Sequence, residues 1–237
     1  MRVVISQPML FPWVGMLEQI RLADVFIHYD DVQFSKGSFT NRVQLKTAQG
    51  MRWLTIPLGN LSLGMSIADI LVDDRKDWRS SHRSLLAQTF EKTPYAADAL
   101  ALANAVYDTQ SDRLVDLLHV GFDALASYFD IRPKRVLRSS EMGVGGKSSA
   151  RVLACVKEVG GDVYVTGHGA SNYLDHELFG REGVSVEYMN YQKRPYAQKH
   201  GSFTPFVSAL DLVANLGRAG RDHICSGTVS WKEFIAS

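Results

Sequence analysis

Short apolar runs alternate with amphipathic stretches at the start of the chain. Residues 3–5 and 25–27 are apolar runs with the length of short buried strands, and residues 13–22 place apolar side chains at helical spacing. The turn before this helix is rich in proline. A strand, a turn, a helix and a second strand in this order are typical of a right-handed βαβ unit. The pattern therefore predicts an α/β fold with a mostly parallel, Rossmann-like sheet.

The same alternation returns in the last hundred residues of the chain. It predicts strands at residues 136–137, 163–165 and 184–188, and helices at residues 148–159, 173–179 and 203–216. Strands from both ends of the chain are therefore expected to share one sheet.

The middle of the chain departs from this alternation. Residues 41–47 and 51–57 alternate polar and apolar side chains around a glycine turn, which predicts a β-hairpin followed by a loop at residues 58–65. Residues from 76 to about 131 show apolar side chains at i, i+3 and i+4 spacing, which indicates helices. We expect a single domain of residues 1–237 with a helical insertion at about 76–131.

Composition and charge narrow the class of protein. The chain has 26 Lys and Arg against 25 Asp and Glu, a balance that argues against a protein that coats nucleic acid through bulk charge. Its 2 cysteines match no metal-ligand or redox spacing, which favours a reducing compartment. No apolar run is long enough to span a bilayer, and the first residues do not resemble a signal peptide. We expect a cytoplasmic protein without membrane insertion.

Two motifs that suggest well-known sites are incomplete. The glycine-rich segment before Ser148 resembles a phosphate-binding loop, but Glu141 stands where that loop requires glycine. A strand-to-helix turn capped by Ser148 is the better interpretation, and a looser anion site there is left open. His176 and Glu177 lack the second histidine of a zinc-protease motif. The spacing predicts no dedicated metal site and no bound organic cofactor, although a divalent cation on adjacent aspartates is left open.

Polar residues follow the first two predicted strands. Because the carboxyl ends of parallel strands bind ligands in open α/β sheets, these residues form a candidate site for a hydroxyl- or phosphate-bearing ligand. A solvated turn is the alternative explanation for the adjacent aspartates. The candidate site comprises Gln7, Pro8, Asp30, Asp31, Lys36, Asn41 and Arg42.

Two further clusters lie in the second half. The predicted strand at 163–165 leads into Gly167 and His168, where a ligand can approach the backbone closely, and a tight turn is the alternative. The segment 193–200 mixes cations with an aromatic ring that could contact a phosphate or stack on a ring, and a solvated loop is the alternative. The candidate residues in these clusters are Gly167, His168, Tyr173, Asp175, Tyr196, Gln198 and His200.

Ordered blocks of residues resemble the WbqC-like family of bacterial proteins over nearly the whole chain. The blocks are QPMLFPWVG at 7–15, DDVQFSK at 30–36, NR at 41–42, WLTIP at 53–57, and Tyr164, Thr166-Gly167, Tyr173-Leu174-Asp175, Pro195-Tyr196, Gln198, Phe203, Pro205 and 208–212 in the later half. Met16-Leu17 and Thr40 depart from the bulkier residues of the family pattern, which leaves the shape of the pocket open.

The resemblance implies a role in making bacterial surface polysaccharide such as the O-antigen of lipopolysaccharide. The suggested activity is transfer of glycine or a related acyl group to the amine of a nucleotide-linked amino sugar, from a donor such as an aminoacyl-tRNA or an adenylate. We expect Asp30 or Asp31 to be the base, with His168 as an alternative. The other residues of the first cluster would position hydroxyls (Gln7, Asn41) and bind phosphate (Lys36, Arg42).

Two other functions are left open by the sequence. A nucleotidyltransferase or adenylate-forming enzyme of HUP-like fold would hold a phosphate at Gly15 and the helix after it, with help from residues 143–148. A non-catalytic sugar-binding scaffold is the other alternative. Near-neutral charge favours a small nucleotide-linked substrate over tRNA, because only a few cations are then needed.

Overall fold

The computed structural model of the protein describes residues 1–59 and 61–236. The strands are β1 (Arg2–Ser6), β2 (Val25–His28), β3 (Arg42–Thr47), β4 (Gly50–Thr55), β5 (Leu58–Gly59), β6 (Leu71–Val72), β7 (Arg135–Arg138), β8 (Val163–Thr166), β9 (Ser185–Asn190) and β10 (Gly227–Ser230). The helices are α1 (Val14–Leu22), α2 (Trp78–Phe90), α3 (Ala96–Tyr107), α4 (Leu114–Tyr128), α5 (Ser148–Glu158), α6 (His176–Arg181), α7 (Ala209–Leu216) and α8 (Trp231–Ala236).

The main sheet combines strands from both ends of the chain. Within the described residues it has six strands in the order β10-β9-β8-β1-β2-β7, and every pairing is parallel except that of β10 with β9. The chain builds outward from β1 through β2 to β7, then returns to the other side of β1 for β8 and β9. The mostly parallel, Rossmann-like α/β sheet is confirmed, and its strand order reverses between β1 and β8.

Both faces of this sheet are covered, which explains the continuous apolar runs of its strands. Val4 and Phe26 point into a core shared with α1, α3, α4 and α7. Val3 and Val25 point to the opposite face, into a second core shared with α5 and α6. Successive residues of one strand therefore serve different cores.

The predicted hairpin and helical insertion are also present. β3 and β4 pair antiparallel with Val43 opposite Leu54, and both of these side chains are buried. Helices α2, α3 and α4 lie between β6 and β7 in the chain and pack into the larger core. The predicted loop at 58–65 contains the short strand β5, and its residue Asn60 lies outside the described residues.

Two predicted helices begin later in the chain than expected. The helix expected at 203–216 spans only α7, because Ser208 is extended and its hydroxyl accepts the amide of Leu210 (3.1 Å) at the helix start. The helix expected at 173–179 is α6, and the carboxylate of Asp175 accepts the amide of Leu178 (3.0 Å) there. In both places a capping side chain decides the boundary.

Ser148 is not the cap predicted for α5. It is the first helical residue, with φ of +51°, and Lys147 precedes it without a capping side-chain hydrogen bond. The hydroxyl of the neighbouring Ser149 instead accepts the amide of Asp175 (2.9 Å). The edge strand β10 and the terminal helix α8 were not predicted, since short exposed segments carry little periodic signal.

No helix in the described part of the chain is both long and apolar enough to cross a membrane.

Two histidines meet in the larger core. His28 at the end of β2 and His119 in α4 are both buried, with ring centroids 4.3 Å apart. Both ring nitrogens of His119 and Nδ1 of His28 have no partner among the described residues. Burial lowers the pKa of His119 to about 4 and holds the pKa of His28 well below its usual range. Both rings are therefore neutral in the folded protein near pH 7.

We expect the free energy of unfolding to fall as the pH drops from about 6.5 to about 4. The unfolded chain takes up a proton at each histidine in this window while the buried rings stay neutral, so stability present above pH 6.5 is lost as the pH falls. Full titration at His119 alone corresponds to about 3 kcal/mol, from the shift of 6.5 to about 4. Urea denaturation across this pH range measures it.

The variant His119→Leu isolates this contribution from that of the carboxylates. Its unfolding free energy should decline less steeply with falling pH than that of the wild type. Parallel curves for His119→Leu and the wild type would contradict the assignment.

Candidate functional site

A cleft of about 650 Å³ opens where the strand order of the main sheet reverses. The end of β1 contributes Gln7 and Pro8, and the end of β8 contributes Thr166 and Gly167. A crevice at the carboxyl ends of two neighbouring strands whose connections run to opposite sides is the usual ligand site of open α/β sheets. Its volume suits a small organic ligand.

Gln19 brings an unsatisfied amide to this cleft. It lies in α1 between Leu17 and Ile20, which anchor the helix in the core, and it is only 4% exposed. Its side chain makes no hydrogen bond with any described residue, and neither does that of Gln7, which also lines the cleft. Amide groups that line a cleft and have no protein partner are free to bind a polar ligand.

Gly167 gives Tyr191 access to the floor of the cleft. A Cβ at Gly167 would lie 3.0 Å from Tyr191 Oη and 3.7 Å from Gln19 Nε2. Burial raises the pKa of Tyr191 to about 12, so its hydroxyl stays protonated near neutral pH. The ring is held against Trp13, with centroids 5.3 Å apart. The phenol is thus a fixed hydrogen-bond donor beside the two glutamines.

The segment before β3 forms another wall of the cleft. The amide of Leu10 lies 3.2 Å from the carbonyl oxygen of Phe39 and 3.1 Å from that of Thr40, and it donates to both. Asn41 then fastens the segment to the hairpin by donating from Nδ2 to the Ile56 carbonyl (2.9 Å). Asn41 is buried in this contact rather than directed at the cleft.

Helix α5 begins at the cleft. Ser148 lines it, and the first amides of the helix have no capping side chain. The preceding segment is exposed and takes positive φ at Gly143 and Gly146. Partial positive charge at a helix start attracts anions, and Lys147 adds a full charge there.

The adjacent aspartates face away from the cleft and hold β2 to the segment after β7. Asp30 is buried and accepts hydrogen bonds from the amide (3.0 Å) and hydroxyl (3.0 Å) of Ser140. Asp31 accepts from the hydroxyl of Ser139 (2.6 Å) and pairs with the guanidinium of Arg151. Each carboxylate oxygen already has a donor, and neither residue lines the cleft. The base role predicted for them has no geometric support here.

The other predicted base, His168, also lies outside the lining of the cleft. Its Nε2 donates to the carbonyl of Met189 (2.6 Å), and its ring packs against those of Tyr191 and Phe234. Tyr173 does line the cleft and is exposed, whereas Asp175 caps α6.

The predicted phosphate contacts are divided between surface and hairpin. Lys36 is exposed, two residues before a lining residue of the cleft. Arg42 lies over the ring of Trp53, at 4.2 Å, and donates to the carbonyl of Gly37. Gly15 is buried under Trp13, where a Cβ would lie 2.2 Å from a ring carbon, so packing explains this glycine.

Within the cluster predicted at 193–200, Tyr196, Gln198 and His200 belong to a separate, partly buried network. Tyr196 donates to Asp211 (2.8 Å), and Gln198 donates to Tyr196 Oη (3.0 Å) and accepts from Lys46 Nζ (3.1 Å). Burial raises the pKa of Asp211. His200 donates to the carbonyl of Thr89 (3.0 Å). These bonds fasten the loop after β9 to the hairpin, α2 and α7.

The structure therefore brings four of the predicted site residues into the cleft, namely Gln7, Pro8, Gly167 and Tyr173. Sequence reasoning missed Gln19, Phe39 and Tyr191 as lining residues, and it left Ser148 open as part of an anion site. Gln19 had a usable signal, because it and the neighbouring Glu18 are polar residues between the apolar Leu17 and Ile20 of α1. No charged side chain among the described residues lines the cleft.

Comparison with known proteins confirms the family resemblance. A family model described as the WbqC-like protein family matches residues 7–223. A relative from Mycobacterium tuberculosis (strain ATCC 25618 / H37Rv), named "Uncharacterized protein Rv1507c", is 29% identical over 226 residues, which cover 94% of this chain and 97% of the relative. No solved structure matches the chain.

We expect Asp30→Ala to lower the free energy of unfolding by about 2–4 kcal/mol, because the variant removes a buried carboxylate that accepts from the amide and the hydroxyl of Ser140. Chemical denaturation measures the loss. The exposed Asp112 is the control, and its alanine variant should stay within about 0.5 kcal/mol of the wild type. If Asp30→Ala unfolds at the wild-type midpoint, the structural role assigned to Asp30 is wrong.

Proposed function

The chain belongs to the WbqC-like protein family, and on this premise we propose that it is a cytoplasmic transferase of bacterial cell-surface polysaccharide biosynthesis. The proposed reaction transfers an acyl or glycyl group to the amine of a nucleotide-linked amino sugar. The observation that supports it is the uncharged cleft at the reversal of strand order, with two glutamine amides that lack protein partners.

The polar groups of the cleft suit a sugar. An amide side chain offers both donors and an acceptor, as sugar hydroxyls do, so Gln7 and Gln19 can each bind one hydroxyl in two ways. The apolar walls, among them Met16 and Val152, match the carbon face of a pyranose ring. A few placed polar groups in a mainly apolar lining are typical of small-ligand sites.

The lack of charge also bears on the chemistry of the amine. Desolvation disfavours an ammonium ion, so an amino sugar in this cleft has a lowered pKa and a larger fraction of neutral amine. The amine lone pair then attacks the carbonyl carbon of an activated ester or anhydride. A C–N bond forms, the C–O bond breaks, and the leaving oxygen keeps the electron pair while the amine proton passes to it or to water. The protonated Tyr191 hydroxyl would donate a hydrogen bond to the developing oxyanion.

Phosphates of the nucleotide would be bound at the rim. The start of α5 offers free amides beside Lys147, and Lys36 lies on the opposite wall segment. Charges outside the cleft leave its interior free for the uncharged part of the ligand. In this proposal Lys36 keeps its predicted phosphate role, supported only by its exposure two residues before the cleft lining.

A non-catalytic sugar-nucleotide-binding protein is the second candidate. It is favoured by one observation, that no carboxylate or imidazole of the described residues lines the cleft. A nucleotidyltransferase or adenylate-forming enzyme has less support, because Gly15, its expected phosphate contact, packs under Trp13.

Transfer is tested with purified protein, nucleotide-linked amino sugars and either glycyl-tRNA or glycyl-adenylate, with mass spectrometry of the sugar product. N-acylated sugar nucleotide supports the transferase. Saturable binding without product from any of these donors favours the non-catalytic protein, and neither binding nor product refutes both.

We expect Gln19→Leu to weaken binding of the nucleotide-linked amino sugar about tenfold without lowering stability. The variant removes an amide that has no protein partner, so only the ligand loses a hydrogen bond. Calorimetric titration gives the affinity and thermal unfolding gives the stability. Gln88→Leu, on the exposed surface of α2, is the matched control and should change neither. Loss of stability with unchanged affinity would show that Gln19 is a structural residue.

A further inference from the structure

Two large aromatic side chains remain exposed at the mouth of the cleft. Phe39 lines the cleft and is 45% exposed, and Trp53 on β4 is 41% exposed. Their ring centroids are 5.8 Å apart with planes tilted by 41°. Exposed apolar rings grouped beside a cleft forgo the stabilisation of burial, and such groups mark sites of interaction.

Trp53 also contacts a cation. The guanidinium carbon of Arg42 lies 4.2 Å from the centroid of the Trp53 ring, and the same guanidinium donates to the Gly37 carbonyl. Gly37 has φ of +89°, and a Cβ there would lie 3.3 Å from Arg42. The glycine thus allows the turn and leaves room for the arginine. Cation–π contact fixes the indole as a support behind Phe39.

The position of Phe39 is set by its backbone. Its carbonyl oxygen accepts the amide of Leu10, which follows the cleft residues at the end of β1. The next residue, Thr40, is buried, and its hydroxyl accepts from that of Ser38 (3.1 Å). The backbone that carries the Phe39 ring is therefore tied to the residues that follow β1, and the ring lines the cleft.

We propose that Phe39, supported by Trp53 and Arg42, is a stacking platform for the nucleobase of a nucleoside diphosphate. This inference rests on the ligand class of the proposed function and assigns one part of that ligand to one wall of the cleft. Stacking on an aromatic ring stabilises the binding of any planar base, whatever its hydrogen-bonding groups. Removing such a ring weakens binding enough to be measured. The sugar then extends toward Gln7 and Gln19.

The test is calorimetric titration of the full chain with UDP and with dTDP. Phe39→Leu keeps an apolar side chain of similar bulk but removes the ring, and we expect it to weaken binding of at least one of the two about tenfold. Phe39→Tyr keeps the ring and should bind within about twofold of the wild type. Trp53→Leu should weaken binding to a smaller degree, because it removes only the support.

Met51→Ala is the matched control. Met51 is an exposed apolar residue on the same strand as Trp53 but does not line the cleft, so affinity should not change. Thermal unfolding of each variant checks that the hairpin is intact. Wild-type affinity in Phe39→Leu, equal weakening in Phe39→Tyr, or no binding of either nucleotide by the wild type would each overturn the platform.

The outcome is separable from that of the transferase. Phe39-dependent binding of UDP or dTDP without any acyl transfer upholds the platform and refutes the transfer reaction. Transfer with an unchanged KM for the sugar nucleotide in Phe39→Leu upholds the reaction and refutes the platform.

Discussion

The reversal of strand order between β1 and β8 is the constraint on which the rest of the structure depends. The connections that leave these neighbouring strands run to opposite sides, so their carboxyl ends are left uncovered and a crevice results. Gln7 and Gly167 enter the cleft only because each follows one of these strands directly. The same topology brings the start of α5 to the rim of the cleft, because α5 directly precedes β8 in the chain. A cleft assembled from the first 40 and the last 90 residues of the chain therefore needs the complete sheet.

Charged side chains in this protein stabilise the frame of the cleft rather than its interior. Asp30 and Asp31 join the end of β2 to the turn that leads into α5, and the ion pair of Asp31 with Arg151 ties the helix itself. Buried carboxylates are tolerated only with several donors, so this arrangement fixes the turn in one conformation. Away from the cleft, the Lys46, Gln198 and Asp211 network holds the loop after β9 by the same kind of contact. The aspartates and Gln198 were predicted from the sequence as site residues, although their hydrogen-bond partners lie within the protein.

The secondary structure could be predicted from the sequence, whereas the contacts of the polar side chains could not. The strands and helices of the main sheet were predictable because continuous apolar runs and 3.6-residue periodicity follow directly from burial on two faces. The strand order places Gln7 and Gly167 together, and that much of the site could be predicted from topology. Whether a carboxylate such as that of Asp30 faces ligand or protein depends on Ser139 and Ser140, more than 100 residues away, and no local pattern encodes that contact. Gln19 is the opposite case. The sequence shows a polar residue on a buried helix face, but only the structure shows that its side chain lines the cleft without a protein partner.

The near-neutral net charge and the uncharged cleft lining both restrict where a charged ligand group can bind in the proposed function. A nucleotide-linked sugar carries its negative charge between two neutral parts, and a protein that buried the diphosphate would need arginines or lysines in the cleft lining, where the described residues supply none. In the proposed function, the phosphates of such a ligand would therefore lie at the solvated rim, near Lys147 and the uncapped start of α5, and the neutral parts of the ligand would contact the cleft itself. Charge at a solvated rim contributes modestly to affinity. In the proposed function, the protein must then discriminate among ligands by their neutral parts. Gln7 and Gln19 would contact the sugar, and Phe39 would contact the base.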